Sequence, residues 1–352
     1  MANFCRGFLR CLQLSQRSSL GVFILLSIFY PYAIANVFNI KSGTTGGGCQ
    51  TYMNQLNDIW DDSVNMNNAA LELIRAAQST DPNIAPETFQ AKRLVATFFG
   101  TEMDLNEIEA MDKEWLNDVE TFLNGDTKEV RYFLFCDSTF ETKKSSNDPA
   151  VSRDGSPMID PATNEPARIR TEYPRIDFRS SAPYLVELDW EMPKHFFYVL
   201  DHRSFDPTTY CSQPGSLGRT QHGDSDVCVL LCPDSFVIGS GKANYLRLGA
   251  EVRDVNEDIQ TVSCVAQTFY HELFHAVHER YESIDNTGYG ARAIISNAKS
   301  VLGRERRGTR NANKNTLQAP ENYTWFALAA WYFYHEQVFF DAGMSNHVQP
   351  NQ

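Results

Sequence analysis

"TFYHELFHAVHERYESIDNTGYG", residues 268–290, holds a His-Glu-x-x-His run and, ten residues after its second histidine, an aspartate. Phe269, Leu273 and Val277 continue an apolar stripe begun at Ile259, Val262 and Ala266, so the spacing predicts a helix from Val255 to Arg280. On such a helix His271 and His275 stand one turn apart, about 6 Å along the axis, and project from one face. Two ring nitrogens at that separation can meet one Zn²⁺ at about 2.0–2.1 Å. Glu272, rotated by about 100° from His271, flanks the metal's open position, where a carboxylate can take a proton from a water that attacks a carbonyl. The competing reading is a buried helix whose two histidines are merely capped by their neighbours.

A catalytic zinc needs a third protein ligand and an open fourth position. His278 shares the stripe but lies about 10 Å along the axis from His271, too far for three nitrogens on one straight helix to converge. It is expected to pack or to support the site from behind. Glu279 and Glu282 meet the same obstacle. Beyond the helix end, Gly288 and Gly290 allow a turn back, and Asp285 is the acidic residue there, hence the expected third ligand.

The ends of the chain bound its compartment. Arg6, Arg10 and Arg17 precede the apolar run "LGVFILLSIFYPYAIA", which closes on Ala33 and Ala35. That layout predicts a signal peptide over 1–35, cleaved after Ala35. The alternative, an uncleaved anchor, is opposed by Pro31, which leaves an unbroken run short for a bilayer. Removing the three arginines takes the net charge from −13 to −16. Such an acidic chain is not expected to bind nucleic acid and suits basic protein substrates, and once the signal is cleaved no stable membrane association is expected. Six cysteines remain: Cys49, Cys136, Cys211, Cys228, Cys232 and Cys264. An even number in a secreted chain reads as three disulfides with 15 possible connectivities, and their spacing fits no zinc finger.

Helical periodicity dominates the first half, in "TYMNQLNDIWDDSVNMNNAALELIRAA", "FQAKRLVATFFGT" and "DLNEIEAMDKEWLNDVETFL", the last with Asp104 as its N-cap. "VRYFLFCDSTF" (130–140) reads as a strand, and "HFFYVLD" (195–201) and "DVCVLLCP" (226–233) as strands of a small sheet. Between them, residues 141–185 are rich in Pro, Ser, Asp and Arg without periodicity, an exposed excursion within an irregular insertion at about 141–205. "GRERRGTRNANKN" (303–315) is a basic loop, and "YTWFALAAWYFYHEQVF" (323–339) a buried final helix.

"HELFH" with the acidic residue and "YG" downstream resembles the aspzincin metallopeptidases, the fungal deuterolysin group and its peptidyl-lysine-specific relatives. "TFFGT" (97–101), "FLFC" ending at Cys136, "VLLCPDSF" (229–236) and "WFALA" (325–329) resemble segments of that family in the same order, whereas 141–205 has no counterpart. The resemblance implies an α+β, mainly α, zincin-like fold with a small antiparallel sheet, spanning 36–352 as a single catalytic domain. It implies one zinc per chain on His271, His275 and Asp285, Glu272 as general base, and Tyr289 beside the oxyanion. The family separates its aspartate and tyrosine by two residues; Asn286, Thr287 and Gly288 make three here, a difference that a bulge in the glycine-containing turn can absorb. The strict register would instead place Asn286 in the ligand position. The resemblance also implies the pairs Cys49–Cys136 and Cys211–Cys232, with Cys228 and Cys264 left to each other.

In lysine-specific members two acidic residues three apart precede an aromatic-Phe-Ala run. Glu321 stands at the first of these positions and Thr324 at the second. A single carboxylate discriminates a lysine weakly, so the expectation is a broad endopeptidase acting on proteins or peptides as a monomer. The alternative is a secreted pseudoprotease of the same fold that binds without cutting. The sequon Asn322-Tyr323-Thr324 is expected to remain unglycosylated because it begins the buried helix.

Overall fold

The computed structural model describes residues 34–100, 105–127, 129–179, 181–188, 194–200, 209–223, 226–239, 241–254, 256–278, 285, 288–305, 314–341 and 343–347. The expectations for the signal segment before Ile34, for Asp104, for Glu279 and Glu282, and for Asn286 lie outside them. Nine helices are described: α1 (Met53–Gln78), α2 (Ala85–Phe99), α3 (Leu105–Ala110), α4 (Asn117–Leu123), α5 (Ile169–Glu172), α6 (Ala266–Val277), α7 (Ala291–Glu305), α8 (Lys314–Leu317) and α9 (Pro320–His335). The strands are β1 (Phe38–Ile40), β2 (Arg131–Phe135), β3 (Glu141–Lys143), β4 (Tyr184–Leu188), β5 (His195–Val199), β6 (Gly218–His222), β7 (Asp226–Leu231), β8 (Val338–Asp341) and β9 (Met344–His347).

The long helices follow their apolar spacing. Leu56, Ile59, Trp60, Met66, Ala70 and Ile74 give α1 a continuous buried stripe, and α1 packs on α2, α6 and α9. Gly100 closes α2 in the left-handed region at φ 69°, and a Cβ there would lie 2.2 Å from the Ala298 carbonyl oxygen. Only glycine satisfies both the turn and the close approach to α7.

The helices cover one face of a four-stranded sheet in the order β1-β2-β7-β6. β1, β2 and β7 run parallel and β6 antiparallel, so this sheet is mixed where a small antiparallel one was expected. The long helical connections between β1 and β2 make parallel pairing accessible. Alternation sends Tyr132, Leu134, Val227, Val229 and Leu231 into the helix-side core, and Phe133, Phe135, Cys228 and Leu230 to the other face.

That other face is covered by the segment expected to be irregular. β3, β4 and β5 form an antiparallel sheet whose Tyr184, Val186, Leu188 and Val199 pack on Phe133, Phe135 and Leu230. The region from 141 to 205 therefore carries its own sheet, and "HFFYVLD" and "DVCVLLCP" contribute to different sheets. Of its strands, β5 lies on the "HFFYVLD" run read as a strand, whereas β3 (ETK) and β4 (YLVEL) were not foreseen; β3 is three polar residues, too short to give a pattern.

Two further corrections concern helix limits. The helix expected from Val255 to Arg280 begins only at Ala266: among the described residues before it, Asp258 caps a 3₁₀ turn (Ile259–Val262) and the Gln267 side chain accepts the Cys264 N–H. Ile259 and Val262 are buried all the same, which produced the periodic signal. α9 begins at Pro320 and ends at His335; Gln337 at φ 53° turns the chain into the β8–β9 hairpin.

The disulfides are Cys49–Cys136 and Cys211–Cys232. With sequence separations of 87 and 21 residues, loop closure alone accounts for about 4–5 and about 3 kcal/mol. Cys228 and Cys264 are free, correcting the third expected pair. Cys228 lies between the two sheets and Cys264 in the helix-side core, so the four-stranded sheet separates them. Ile34, one residue before the expected cleavage point, is fully buried in the helix-side core. Among the described residues no helix is long and apolar enough to cross a membrane.

Candidate metal centre

α6 presents His271 and His275 from one face with ring centroids 5.0 Å apart. The helix stops at His278, whose extended backbone (ψ 149°) ends the repeat one turn beyond His275. His278 is packed instead, 4.2 Å from the Trp115 ring and stacked on Phe274. The chain returns to the site at Asp285, whose Oδ1 lies 3.2 Å from His271 Nε2 and 3.1 Å from His275 Nε2. Gly288 and Gly290 then take φ of 81° and 90°, conformations costly for other residues, and α7 begins.

One donor atom from each of His271, His275 and Asp285 falls within 4.8 Å of the others, so the three can hold a metal ion. Tetrahedral ligands at about 2.0–2.1 Å from zinc are separated by about 3.3–3.4 Å. Both histidine–aspartate distances are close to that edge, and two imidazoles with one carboxylate form a donor set suited to zinc.

Glu321, in the first turn of α9, orients the first ligand. Its Oε2 accepts from His271 Nδ1 at 2.9 Å. Its Oε1 accepts from the Gly290 backbone N–H at 2.9 Å and from Trp325 Nε1 at 2.8 Å. A proton fixed on Nδ1 makes Nε2, which faces Asp285, the ring nitrogen available to a metal. Both carboxylate oxygens thus serve the site from behind, and neither is arranged as the expected anchor for a substrate lysine. Thr324 is buried, and its hydroxyl donates to the Pro320 carbonyl at 3.0 Å. Asn322 is fully buried with its Nδ2 bonded to the Phe98 carbonyl, which leaves no room for a glycan in the folded chain.

Electrostatics follow the packing. Burial opposes a charge on His271, but hydrogen bonds to Asp285 and Glu321 outweigh it and raise its pKa well above the ordinary value. Asp285 is held far below the usual carboxylate range: partial burial works against its charge, and the two histidines prevail. Glu272 goes the other way. Burial pushes its carboxyl up, against the opposing pull of His271, His275 and the Thr220 hydroxyl. Neighbouring carboxyls with opposite shifts are a mark of divided roles.

β6 supplies the rest of the site, none of it foreseen. "GRTQH" has no apolar alternation, and its only signals are Gly and Thr on one face before the hydrophobic run of β7. The Thr220 hydroxyl lies 2.8 Å from Glu272 Oε2 and can donate to it. His222 Nε2 lies 2.6 Å from the His275 carbonyl and donates to it. A Cβ on Gly218 would lie 3.0 Å from Glu272 Cγ and Oε1, so a glycine lets the carboxylate sit against the strand. The Leu217 carbonyl accepts from Cys232 N–H and the Gly223 N–H donates to Asp226, both at 2.7 Å. By alternation the backbone groups of Gly218, Thr220 and His222 point away from β7, towards the edge of the sheet, where no further strand pairs among the described residues.

Tyr289 is 71% exposed and its hydroxyl donates to Asp285 Oδ2 at 3.2 Å. Its ring lies 6.0 Å from that of His271, so the phenol borders the cluster. Comparisons with protein-family models, curated proteins and solved structures returned no match.

Proposed function

We propose that this chain is a secreted zinc endopeptidase of zincin-like fold. The observation that carries the reading is the convergence of His271, His275 and Asp285 beside a buried Glu272 at the edge strand β6. A zinc ion bound there would supply Lewis-acid polarisation of a peptide carbonyl and ease the ionisation of water.

The remaining chemistry belongs to the chain. An extended peptide adds to the outward edge of β6 through main-chain hydrogen bonds, which recognise backbone whatever the side chains. Glu272 Oε2 is held by Thr220, so Oε1 takes the proton from the attacking water and passes it to the leaving amine. The Tyr289 phenol, at the rim, donates towards the carbonyl oxygen as negative charge develops there. Glu321 keeps the Nδ1 proton of His271 in place throughout.

The same geometry supports a reading of broad specificity. The two positions that would pair for lysine recognition are occupied, Glu321 by His271, Gly290 and Trp325, and Thr324 by its own helix. The acidic net charge of −13 favours the approach of basic substrates. Disulfides, together with the basic-then-apolar start of the chain, support export.

Zinc content and casein hydrolysis test the reading. The parent should carry one zinc per chain and cleave, and Glu272→Gln should keep the metal while losing hydrolysis, since base and ligands are different groups. A metal-free parent, or a Glu272→Gln protein that cleaves casein at the parent rate, overturns it.

A further inference from the structure

Tyr210 connects the covering sheet to the edge strand β6. It lies in the short turn Tyr210–Ser212, which is anchored twice: Cys211 is bonded to Cys232 at the end of β7, and the Cys211 N–H donates to Ser138 Oγ at 2.9 Å. The Arg219 guanidinium lies over the Tyr210 ring, 4.5 Å from its centroid. Arg219 in turn is ion-paired with Glu141 of β3, and both side chains are more than nine-tenths buried. From this fixed position the Tyr210 hydroxyl donates to the Gly218 carbonyl at 2.7 Å.

That carbonyl is one of the outward-facing groups of β6, and Gly218 is the residue against which Glu272 rests. A peptide strand adding to β6 would need the same acceptor for its own N–H at this point. The Tyr210 hydroxyl and the Glu272 side chain therefore meet the same residue, Gly218.

We propose that Tyr210 terminates the peptide-docking edge of β6 at Gly218, so that the covering sheet sets how far a substrate strand extends on that side of Glu272. The inference rests on the endopeptidase reading for its ligand, an extended peptide. It makes the 141–205 segment a determinant of substrate length, acting through Glu141, Arg219 and Tyr210. Peptides that extend past Gly218 gain nothing from the additional residues.

The test uses labelled peptides lengthened one residue at a time from either end. Their affinity is measured by fluorescence anisotropy against the zinc-loaded full chain carrying Glu272→Gln, which binds without cutting. In this background affinity should reach a plateau at a fixed length on one side. Adding Tyr210→Ala should move that plateau, with the longer peptides gaining about 2- to 10-fold for the one hydrogen bond released, and the shorter ones unchanged. Tyr210→Phe, which frees the carbonyl and keeps the ring, decides the matter if the alanine variant melts below the assay temperature; a gain of about 2-fold in the longer peptides is then expected. The same plateau in all three proteins overturns the proposal, as does an equal loss at every length, which would mean that Tyr210 only supports the strand. Parent protein that binds these peptides but never cleaves them refutes the endopeptidase reading and leaves the length limit standing. No binding at any length refutes both.

Discussion

Replacing Glu321 by glutamine should weaken zinc binding by inverting a single histidine. The Oε1 side of Glu321 receives two donors, the Gly290 N–H at 2.9 Å and Trp325 Nε1 at 2.8 Å. A glutamine must put its carbonyl oxygen there, because an NH₂ group would face two other donors. Its NH₂ then falls where Oε2 stood, 2.9 Å from His271 Nδ1. That nitrogen can no longer donate, so the proton moves to Nε2, the atom that would face a bound metal. Loss of a hydrogen bond to a charged partner is worth about 1.5–3 kcal/mol. Removing a carboxylate behind a metal-bound histidine costs about 10- to 100-fold in affinity, or about 1.4–2.7 kcal/mol. The two figures agree. Competition against a chromogenic chelator at fixed pH measures the shift, and saturating zinc should restore most of the hydrolysis while thermal stability shows that the variant folds. An unchanged zinc affinity together with an altered cleavage preference would refute the reasoning and return Glu321 to the substrate side.

Gly218→Ala should lower kcat by about tenfold with zinc content intact, since a Cβ 3.0 Å from Glu272 Cγ and Oε1 must displace the base by a few tenths of an ångström; an unaltered kcat would show that the contact has no bearing on proton transfer. Alkylation of the unfolded, unreduced protein should label Cys228 and Cys264 and leave Cys49, Cys136, Cys211 and Cys232 unlabelled. Both thiols should be inert in the native state, because burial pushes Cys264 up to about 12 and Cys228 well above its ordinary value. Intact mass should not change on glycosidase treatment at the one sequon, Asn322-Tyr323-Thr324, where a glycan would require Asn322 to leave the core.

The parts legible in the sequence are those where one physical rule acts alone. Helical spacing placed His271 and His275 on one face, and Asp285, the acidic residue expected from beyond the helix end, meets both of them. The extra residue between Asp285 and Tyr289 does not separate them, because the tyrosine hydroxyl still reaches Asp285 Oδ2 at 3.2 Å. Where two rules compete, spacing misleads. Ile259 and Val262 are buried at helical intervals yet sit in a 3₁₀ turn, because the Asp258 and Gln267 side chains capture backbone groups that a longer helix would need. Cys228 and Cys264 looked like partners by count, but strand alternation put the first on the opposite side of the sheet from the second.

The neighbours that give the motif its chemistry were illegible for a different reason. His271 and Glu321 are 50 residues apart, and Thr220 and Glu272 are 52 apart. No local pattern encodes such meetings; they depend on α9 crossing behind α6 and on β6 lying alongside it. Glu321 illustrates the consequence. Along the chain, an acidic residue before "YTWFALA" suits a pocket for a cationic side chain. In the fold, its place at the start of α9 aims it at the back of His271, where its charge fixes one proton. The residue type, an anion near the site, is the same under both readings, and only its partner differs. The partner decides whether a substitution at Glu321 changes which bond is cut or whether metal is held at all, and chelator competition on Glu321→Gln separates those outcomes.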